Sequence, residues 1–357
     1  MKFEFFQVEV ARKCSMNCIM CPGKLWKSKP ACEMDLDVFE SLSAHFEKAK
    51  LVYLQGWGEP LEHENIWKMA RIVKRAESEV GLTTNGMLVN EKAIGEILEL
   101  GVDIILVSMG GATKETHERI RRGTSFDTIV KNIERLAEEK KKLNMDKPRI
   151  SLSLVISTMN VHEIPDLVEL ASRIGAEDVV TPNLDYVFDS LTESLRVFSN
   201  KGDRHTREYQ KIIEKAQRIA AKKKISFRPY PLQMEEVMMC EANPLGGLVI
   251  SCEGDLYPCV YLGLPFKRIP RIFCGEKLEV QRPYFGNIRD GLSNAWNGEA
   301  YKDFRRKYEE RLGAYHSTME RMTFGDVGIK ELERIESLFS EHPLPEVCRS
   351  CYKAYGV

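Results

Sequence analysis

The sequence predicts an α/β protein built on a parallel sheet, followed by a smaller, irregular region at its carboxyl end. Three observations carry this. Strand-like and helix-like runs alternate over the first 230 residues; the strand-like runs are nearly all apolar, as in Ile104-Ile-Leu-Val107; and the alternation stops near residue 231. A chain of 357 residues has room for one large α/β domain and an appendage, and the expected division is 1–230 and 231–357.

Strands are expected at 3–11, 51–56, 79–84, 103–109, 149–157, 177–182 and 225–229. The intervening segments 36–49, 62–77, 91–100, 126–142, 161–174 and 206–223 carry apolar residues at three- and four-residue spacing and read as helices. Segment 184–205 has no clear period and reads as a lid or an insertion. Residues 232–290 are short strand-like pieces broken by glycine and proline, with a hairpin turn expected at Glu253-Gly-Asp255. Helical patterns return at 291–312 and 328–341, before the closing Cys348-Arg-Ser-Cys351.

Composition narrows the class. Hydrophobic content of 43% and charged content of 29% are globular values. A net charge of −1 leaves no electrostatic ground for a nucleic-acid partner. No apolar run reaches the length of a membrane span, and the start lacks a signal-peptide layout, so a cytoplasmic protein is expected. In that setting the ten cysteines are expected to be metal ligands or catalytic groups rather than disulfides.

Functional residues of a parallel α/β sheet gather at the carboxyl ends of its strands. Directly after the first strand comes Cys14-Ser-Met-Asn-Cys18-Ile-Met-Cys21. Such a loop can wrap three thiolates around one iron–sulfur cube, which usually takes four cysteines, so one iron stays open to a ligand. A zinc site is the alternative, and it needs a fourth ligand. After the second strand comes Gly56-Trp-Gly58-Glu59-Pro60, where glycine admits close backbone approach and a carboxylate can receive an ammonium group; a tight turn with a solvent-facing Glu is the bland reading. Thr83-Thr-Asn85-Gly86 follows the third strand and Ser108-Met-Gly-Gly111 the fourth, and each is also a plain polar turn. Arg119, Arg121 and Arg122 offer a partner for a carboxylate. At the end of the fifth strand, Val155–Asn160 is an apolar segment, for which a plain core strand is an equal reading.

A further set lies in the second region. Cys240 is followed by thirteen residues, Gly254, four residues and Cys259, and Cys348 and Cys351 close it. Four cysteines suffice for a fully ligated [4Fe–4S] cluster, with a four-cysteine zinc site as the alternative. Cys32, Cys252 and Cys274 remain: buried inert thiols, or, for Cys274 and Cys252 ahead of Cys32, hydrogen-atom donors to a substrate radical.

These motifs resemble the radical S-adenosylmethionine (SAM) superfamily, and the second region resembles its SPASM or twitch auxiliary-cluster domain. The departures are Met20 where the family usually has an aromatic residue, Trp57 for a glycine, and Gly110 for an acidic residue. The resemblance implies a partial (β/α)6 TIM-like barrel. It implies a cluster on Cys14, Cys18 and Cys21, and SAM held by Met20, Gly58, Glu59, Asn85, Ser108, Arg121 and Val155. It implies one auxiliary [4Fe–4S] cluster on Cys240, Cys259, Cys348 and Cys351, of the shorter twitch form. The implied activity is reductive cleavage of SAM to a 5′-deoxyadenosyl radical that takes a hydrogen atom from a substrate, with flavodoxin or ferredoxin as electron donor. The substrate is a peptide, a protein side chain or a cofactor precursor; the rival is a dehydrogenase or epimerase of a sugar or other small molecule. Within the superfamily, Gln55–Pro60 and the end Cys351–Gly356 most resemble maturases for tungsten-cofactor oxidoreductases. A start at the barrel, without a leader-binding segment, weakens the peptide reading. The alternative from another class is a non-catalytic iron–sulfur electron carrier or zinc protein.

Overall fold

The computed structural model describes residues 2–27, 31–200, 204–324 and 337–357. The chain runs β1 (Phe3–Val8), α1 (Leu36–Phe46), β2 (Ala49–Leu54), α2 (Ile66–Arg75), β3 (Glu79–Thr84), α3 (Glu91–Leu100), β4 (Ile104–Met109), α4 (Lys114–Ile120), α5 (Phe126–Lys142), β5 (Arg149–Leu154), α6 (Ile164–Arg173), β6 (Asp178–Thr181), α7 (Ser190–Ser194), α8 (Arg204–Lys223) and β7 (Ser226–Pro229). It continues through β8 (Gly247–Ile250), β9 (Leu256–Tyr257), β10 (Arg268–Phe273), β11 (Glu276–Gln281), α9 (Leu292–Trp296) and α10 (Glu299–Phe324). All seven expected strands form. Helix α4 has no counterpart among the expected helices, and 184–205 contains the short α7. The expected helix at 328–341 falls largely outside the described residues, of which 337–341 is helical.

One sheet of nine strands organises the molecule, in the order β7-β6-β5-β4-β3-β2-β1-β8-β9. Strands β1 to β7 pair in parallel through the series, and β8 joins the other edge of β1, also in parallel. Only β9 runs antiparallel, returning through the Glu253-Gly-Asp255 turn, where Gly254 takes φ +87°. The alternation implied this parallel sheet and the resemblance its partial-barrel form, and the second region adds strands to the same sheet.

Burial alternates along β4, whereas β3, β5 and β8 hold runs of consecutive buried residues. In β4, Ile105, Val107 and Met109 are buried while Ile104, Leu106 and Ser108 are partly open. The closed face packs on helices through residues such as Phe39 and Leu42 of α1, Met69 and Val73 of α2 and Ile97 of α3, all fully buried. The other face looks into the barrel. That arrangement leaves the inward residues at the strand ends free to meet a ligand.

The pairing of β8 with β1 corrects one expectation. Cys252, just past β8, forms a disulfide with Cys32. The segment bearing Cys32 is held beside the chain leaving β1, since Arg12 N–H donates to Cys32 O at 2.8 Å and Ala11 bridges Glu33. Contacts between segments 220 residues apart bring the two sulfurs together, and cysteine spacing carries no trace of them. Along the same seam Arg12 pairs with Glu9 and Glu253, each at 2.6 Å.

Candidate active site

A cavity of about 320 Å³ opens at the carboxyl ends of β1 to β6. Its wall includes Cys14, Cys18 and Cys21 and every residue that the sequence assigned to SAM: Met20, Gly58, Glu59, Asn85, Ser108, Arg121 and Val155. Each successive strand from β1 to β5 therefore delivers its motif to one space.

The cysteine loop is braced from two sides. Asn17 N–H donates to Arg122 O at 2.9 Å and Ile19 N–H to Ile120 O at 3.0 Å, which lays the loop along the end of α4. Ser15 donates its backbone N–H and its hydroxyl to Glu62, at 2.8 and 2.5 Å. Gly23 N–H donates to Cys21 Sγ at 3.3 Å, a bond suited to a thiolate. Burial pushes the Cys14 thiol up to about 11 and raises Cys21.

Glu59 is 2% exposed and accepts three hydrogen bonds from its own chain. Thr84 donates its hydroxyl at 2.8 Å, and the N–H groups of Asn85 and Leu61 donate at 2.6 and 3.1 Å. Burial nevertheless pushes the carboxyl up to about 7, because desolvation outweighs the three donors. Its first task is thus to lock the second strand's loop to the third strand's end. Gly58 is fixed by contact: a Cβ there would lie 2.4 Å from both Ala11 O and Lys13 O. Trp57 donates its N–H to Glu9 at 3.0 Å. Its ring packs among Trp26, Tyr186 and Tyr261, so the tryptophan builds the cavity's aromatic wall.

Among the three arginines, Arg121 alone lines the cavity; Arg119 and Arg122 are exposed. Gly110, at the position where the family has an acid, has no room for one: a Cβ would stand 2.9 Å from His117 O and 3.0 Å from Arg121 Cγ. His117, to which the sequence assigned nothing, organises this corner. It accepts from Gly110 N–H at Nδ1, 3.2 Å, and its Nε2 meets the Thr124 hydroxyl, which itself donates to Arg121 O at 2.6 Å. Burial, followed by the charge of Arg121, lowers it to about 4, so it is neutral. Its signal in the sequence is nil, because its partners are backbone groups and a hydroxyl.

The far wall was missed from sequence. Asp185 accepts the Tyr261 hydroxyl at 2.5 Å and pairs with Lys353 at 2.8 Å, and Tyr186 stacks on Tyr261 at 5.2 Å. Asn183, 2% exposed, donates to Pro231 O while its Oδ1 has no partner; the Nε of Arg121 is likewise buried and unpaired. These two atoms, one acceptor and one charged donor, are left free to meet polar groups of a bound ligand.

The second cysteine set lies outside this cavity. Burial and mutual repulsion push Cys240 up to about 12 and Cys259 to about 11, and hold Cys348 far above its usual range. Each of Cys240, Cys259 and Cys348 feels Cys351, so the four thiols form one cluster of groups. Among the described residues, neither the three-cysteine nor the four-cysteine set has three ligand atoms within 4.8 Å of one another.

The two thiols expected as hydrogen-atom donors are not placed for it. Cys252 is in the disulfide and has no S–H, and Cys274 is exposed on the β10–β11 turn. There Cys274 and Gly275 take φ +52° and +86°, which makes the pair a two-residue hairpin turn.

Residues 8–171 match the radical SAM superfamily and residues 240–352 match an iron–sulfur cluster-binding SPASM domain. The chain belongs to the radical SAM superfamily and is a SPASM-containing radical SAM enzyme; its cofactors are SAM, the [4Fe–4S] cluster that binds it and an auxiliary iron–sulfur centre. Among its relatives are the tungsten-containing aldehyde ferredoxin oxidoreductase cofactor-modifying protein of Pyrococcus furiosus and the mycofactocin maturase MftC of Mycobacterium tuberculosis. The first is 24% identical over 306 residues, covering 85% of this chain and 83% of that one. The second is 23% identical over 306 residues, covering 83% and 71%. The fold is shared with Streptococcus suis SuiB bound to its precursor peptide SuiA (TM-score 0.60, 14% identity, 85% of this chain and 67% of that one). It is shared also with anSMEcpe bound to AdoMet and a peptide (TM-score 0.61, 15% identity, 86% and 84%). No described helix is long and apolar enough to cross a membrane.

Proposed function

We propose that this enzyme is a maturase that activates a C–H bond of a peptide, protein side chain or cofactor precursor. In that reading Cys14, Cys18 and Cys21 hold the cluster that binds SAM, and Cys240, Cys259, Cys348 and Cys351 hold one auxiliary [4Fe–4S] cluster. When bound, the first cluster and SAM together supply a 5′-deoxyadenosyl radical able to abstract a hydrogen atom. The observation that carries the reading is the single cavity shared by the three thiols, the four strand-end motifs of β2 to β5 and the Asp185–Lys353 wall.

The chain's own residues bind and orient. Arg121 offers its unpaired Nε to the carboxylate of SAM, Glu59 and Gly58 receive its amino end, and Ser108 and Asn85 face its ribose. Met20 and Val155 flank the adenine. Trp57, Tyr186 and Tyr261 exclude water from the side where substrate enters. The names of the Pyrococcus and Mycobacterium relatives support the maturase reading. An epimerase lacks support, since among the described residues the cavity wall has no thiol beyond the three cluster cysteines.

The same proposal includes a core over 1–230, an auxiliary domain over 231–357, a cytoplasmic setting, and flavodoxin or ferredoxin as electron donor. Anaerobic reconstitution followed by dithionite and SAM tests it. About eight irons per chain and formation of 5′-deoxyadenosine are expected; zinc in place of iron, or no deoxyadenosine, overturns it.

A further inference from the structure

The long helix α10 is bonded to the segments that lead into the four-cysteine site. Arg311, fully buried, donates to Met238 O at 3.2 Å, Val237 O at 3.0 Å and His342 O at 2.5 Å, and pairs with Glu236 at 2.8 Å. One guanidinium thereby ties the segment entering Cys240 to the segment entering Cys348. The helix then presents two tyrosines seven residues apart, two turns along one face, to the same region. Tyr301 is 0% exposed and Tyr308 1%.

Neither hydroxyl makes a hydrogen bond of ordinary geometry. A buried hydroxyl left unpaired is costly, and native structures rarely keep one without a reason. Their rings cannot swing to solvent: Tyr308 packs on Phe304 at 5.7 Å, and Tyr301 on Phe285 and Trp296 at 5.0 and 4.9 Å. Past those rings, and past the Arg305 guanidinium 5.2 Å from the Tyr301 ring, lie thiols of the auxiliary site. Tyr308 stands beside Cys348 and within electrostatic reach of Cys240 and Cys351, and Tyr301 within reach of Cys259.

We infer that Tyr308 donates a hydrogen bond to the Cys348 sulfur of the loaded auxiliary cluster, with Tyr301 a weaker second donor toward Cys259. This rests on the reading that the four cysteines hold an iron–sulfur cluster. Thiolate bound to iron is the acceptor that each hydroxyl lacks, and hydrogen bonds to cluster sulfurs are a lever on reduction potential. A donor stabilises the reduced, more negative cluster, so Tyr308 sets the ease with which this centre accepts an electron. Among the described residues no other tyrosine hydroxyl is buried and left unpaired.

The test compares anaerobically reconstituted wild type with Tyr308→Phe and Tyr301→Phe by iron analysis and an EPR-monitored redox titration. Phe keeps the ring and removes only the unpaired hydroxyl, so the melting temperature of the cluster-free protein should not fall. In Tyr308→Phe the iron count should stay at about eight. The reduction equilibrium of the auxiliary cluster should weaken about tenfold, a midpoint about 59 mV lower for a one-electron couple, with a smaller shift in Tyr301→Phe. The potential of the SAM-binding cluster should not move. About eight irons with an unmoved auxiliary midpoint overturns the inference. About four irons in wild type, with zinc or nothing on Cys240, Cys259, Cys348 and Cys351, overturns the reading beneath it instead.

Discussion

The two cysteine sites are built on opposite plans. Cys14, Cys18 and Cys21 come from one eight-residue loop and face a cavity lined by polar strand ends. Cys240, Cys259, Cys348 and Cys351 are gathered from separate segments, lie off the cavity and are backed by α10. Three ligands and an opening leave an iron free to meet SAM; four ligands and an enclosure suit storage or passage of an electron. The number of thiols and the shape of the space around them agree at both sites, which is what separates a place for chemistry from a place for electrons.

The sharpest way to break that division is to remove one thiol from each. Cys18→Ala should abolish deoxyadenosine formation and cost about four irons, leaving the auxiliary centre loaded. Cys348→Ala should keep deoxyadenosine formation and lose product. Equal loss of SAM cleavage in both variants would mean that the sites do not work apart.

The seam between the regions comes next. Arg12 is buried between Glu9, itself 3% exposed, and Glu253. Arg12→Ala strands a buried carboxylate and should cost about 3–5 kcal/mol in chemical unfolding. The Cys32–Cys252 disulfide crosses the same seam and gives a smaller, direct readout. Under non-reducing denaturation the eight free cysteines of the apo protein should alkylate, and all ten after reduction; ten in both would remove the cross-link from the account.

What the sequence showed follows from how far apart the cooperating residues lie. Cys14, Cys18 and Cys21 are local, and Glu59, Asn85 and Ser108 obey a rule about strand ends, so each could be found one segment at a time. The partner of Cys252 could not, because it depends on β8 pairing with β1. Nor could the Asp185–Lys353 pair, whose members lie far apart in the chain and meet only once the closing segment folds over the barrel mouth. Trp57 and Gly110 looked like departures from a motif. In the fold they are accommodations to neighbours: an aromatic wall for one, and the crowding of His117 and Arg121 for the other. His117 shows the limit most plainly, since a neutral histidine bound to an amide and a hydroxyl carries no charge pattern to detect.

Glu59 offers the finest test, because it belongs to the open site and has no counterpart in the enclosed one. Its carboxyl titrates near 7 in the fold and at the ordinary 4.5 when unfolded. Between those values the native state holds the extra proton, so stability of the apo protein is full below about pH 4.5 and declines as pH rises toward 7. At about 1.4 kcal/mol per pH unit the loss approaches roughly 3 kcal/mol. Glu59→Gln cannot titrate and should flatten that part of the urea-denaturation profile against pH. An ammonium group brought to the cavity favours the ionised form, so SAM binding should release a proton near about pH 6 and tighten toward about pH 8 in wild type, but not in the Gln variant. A Gln variant with an unchanged pH slope in both measurements would assign the titration to another group, and with it deny Glu59 its contact with the amino end of SAM.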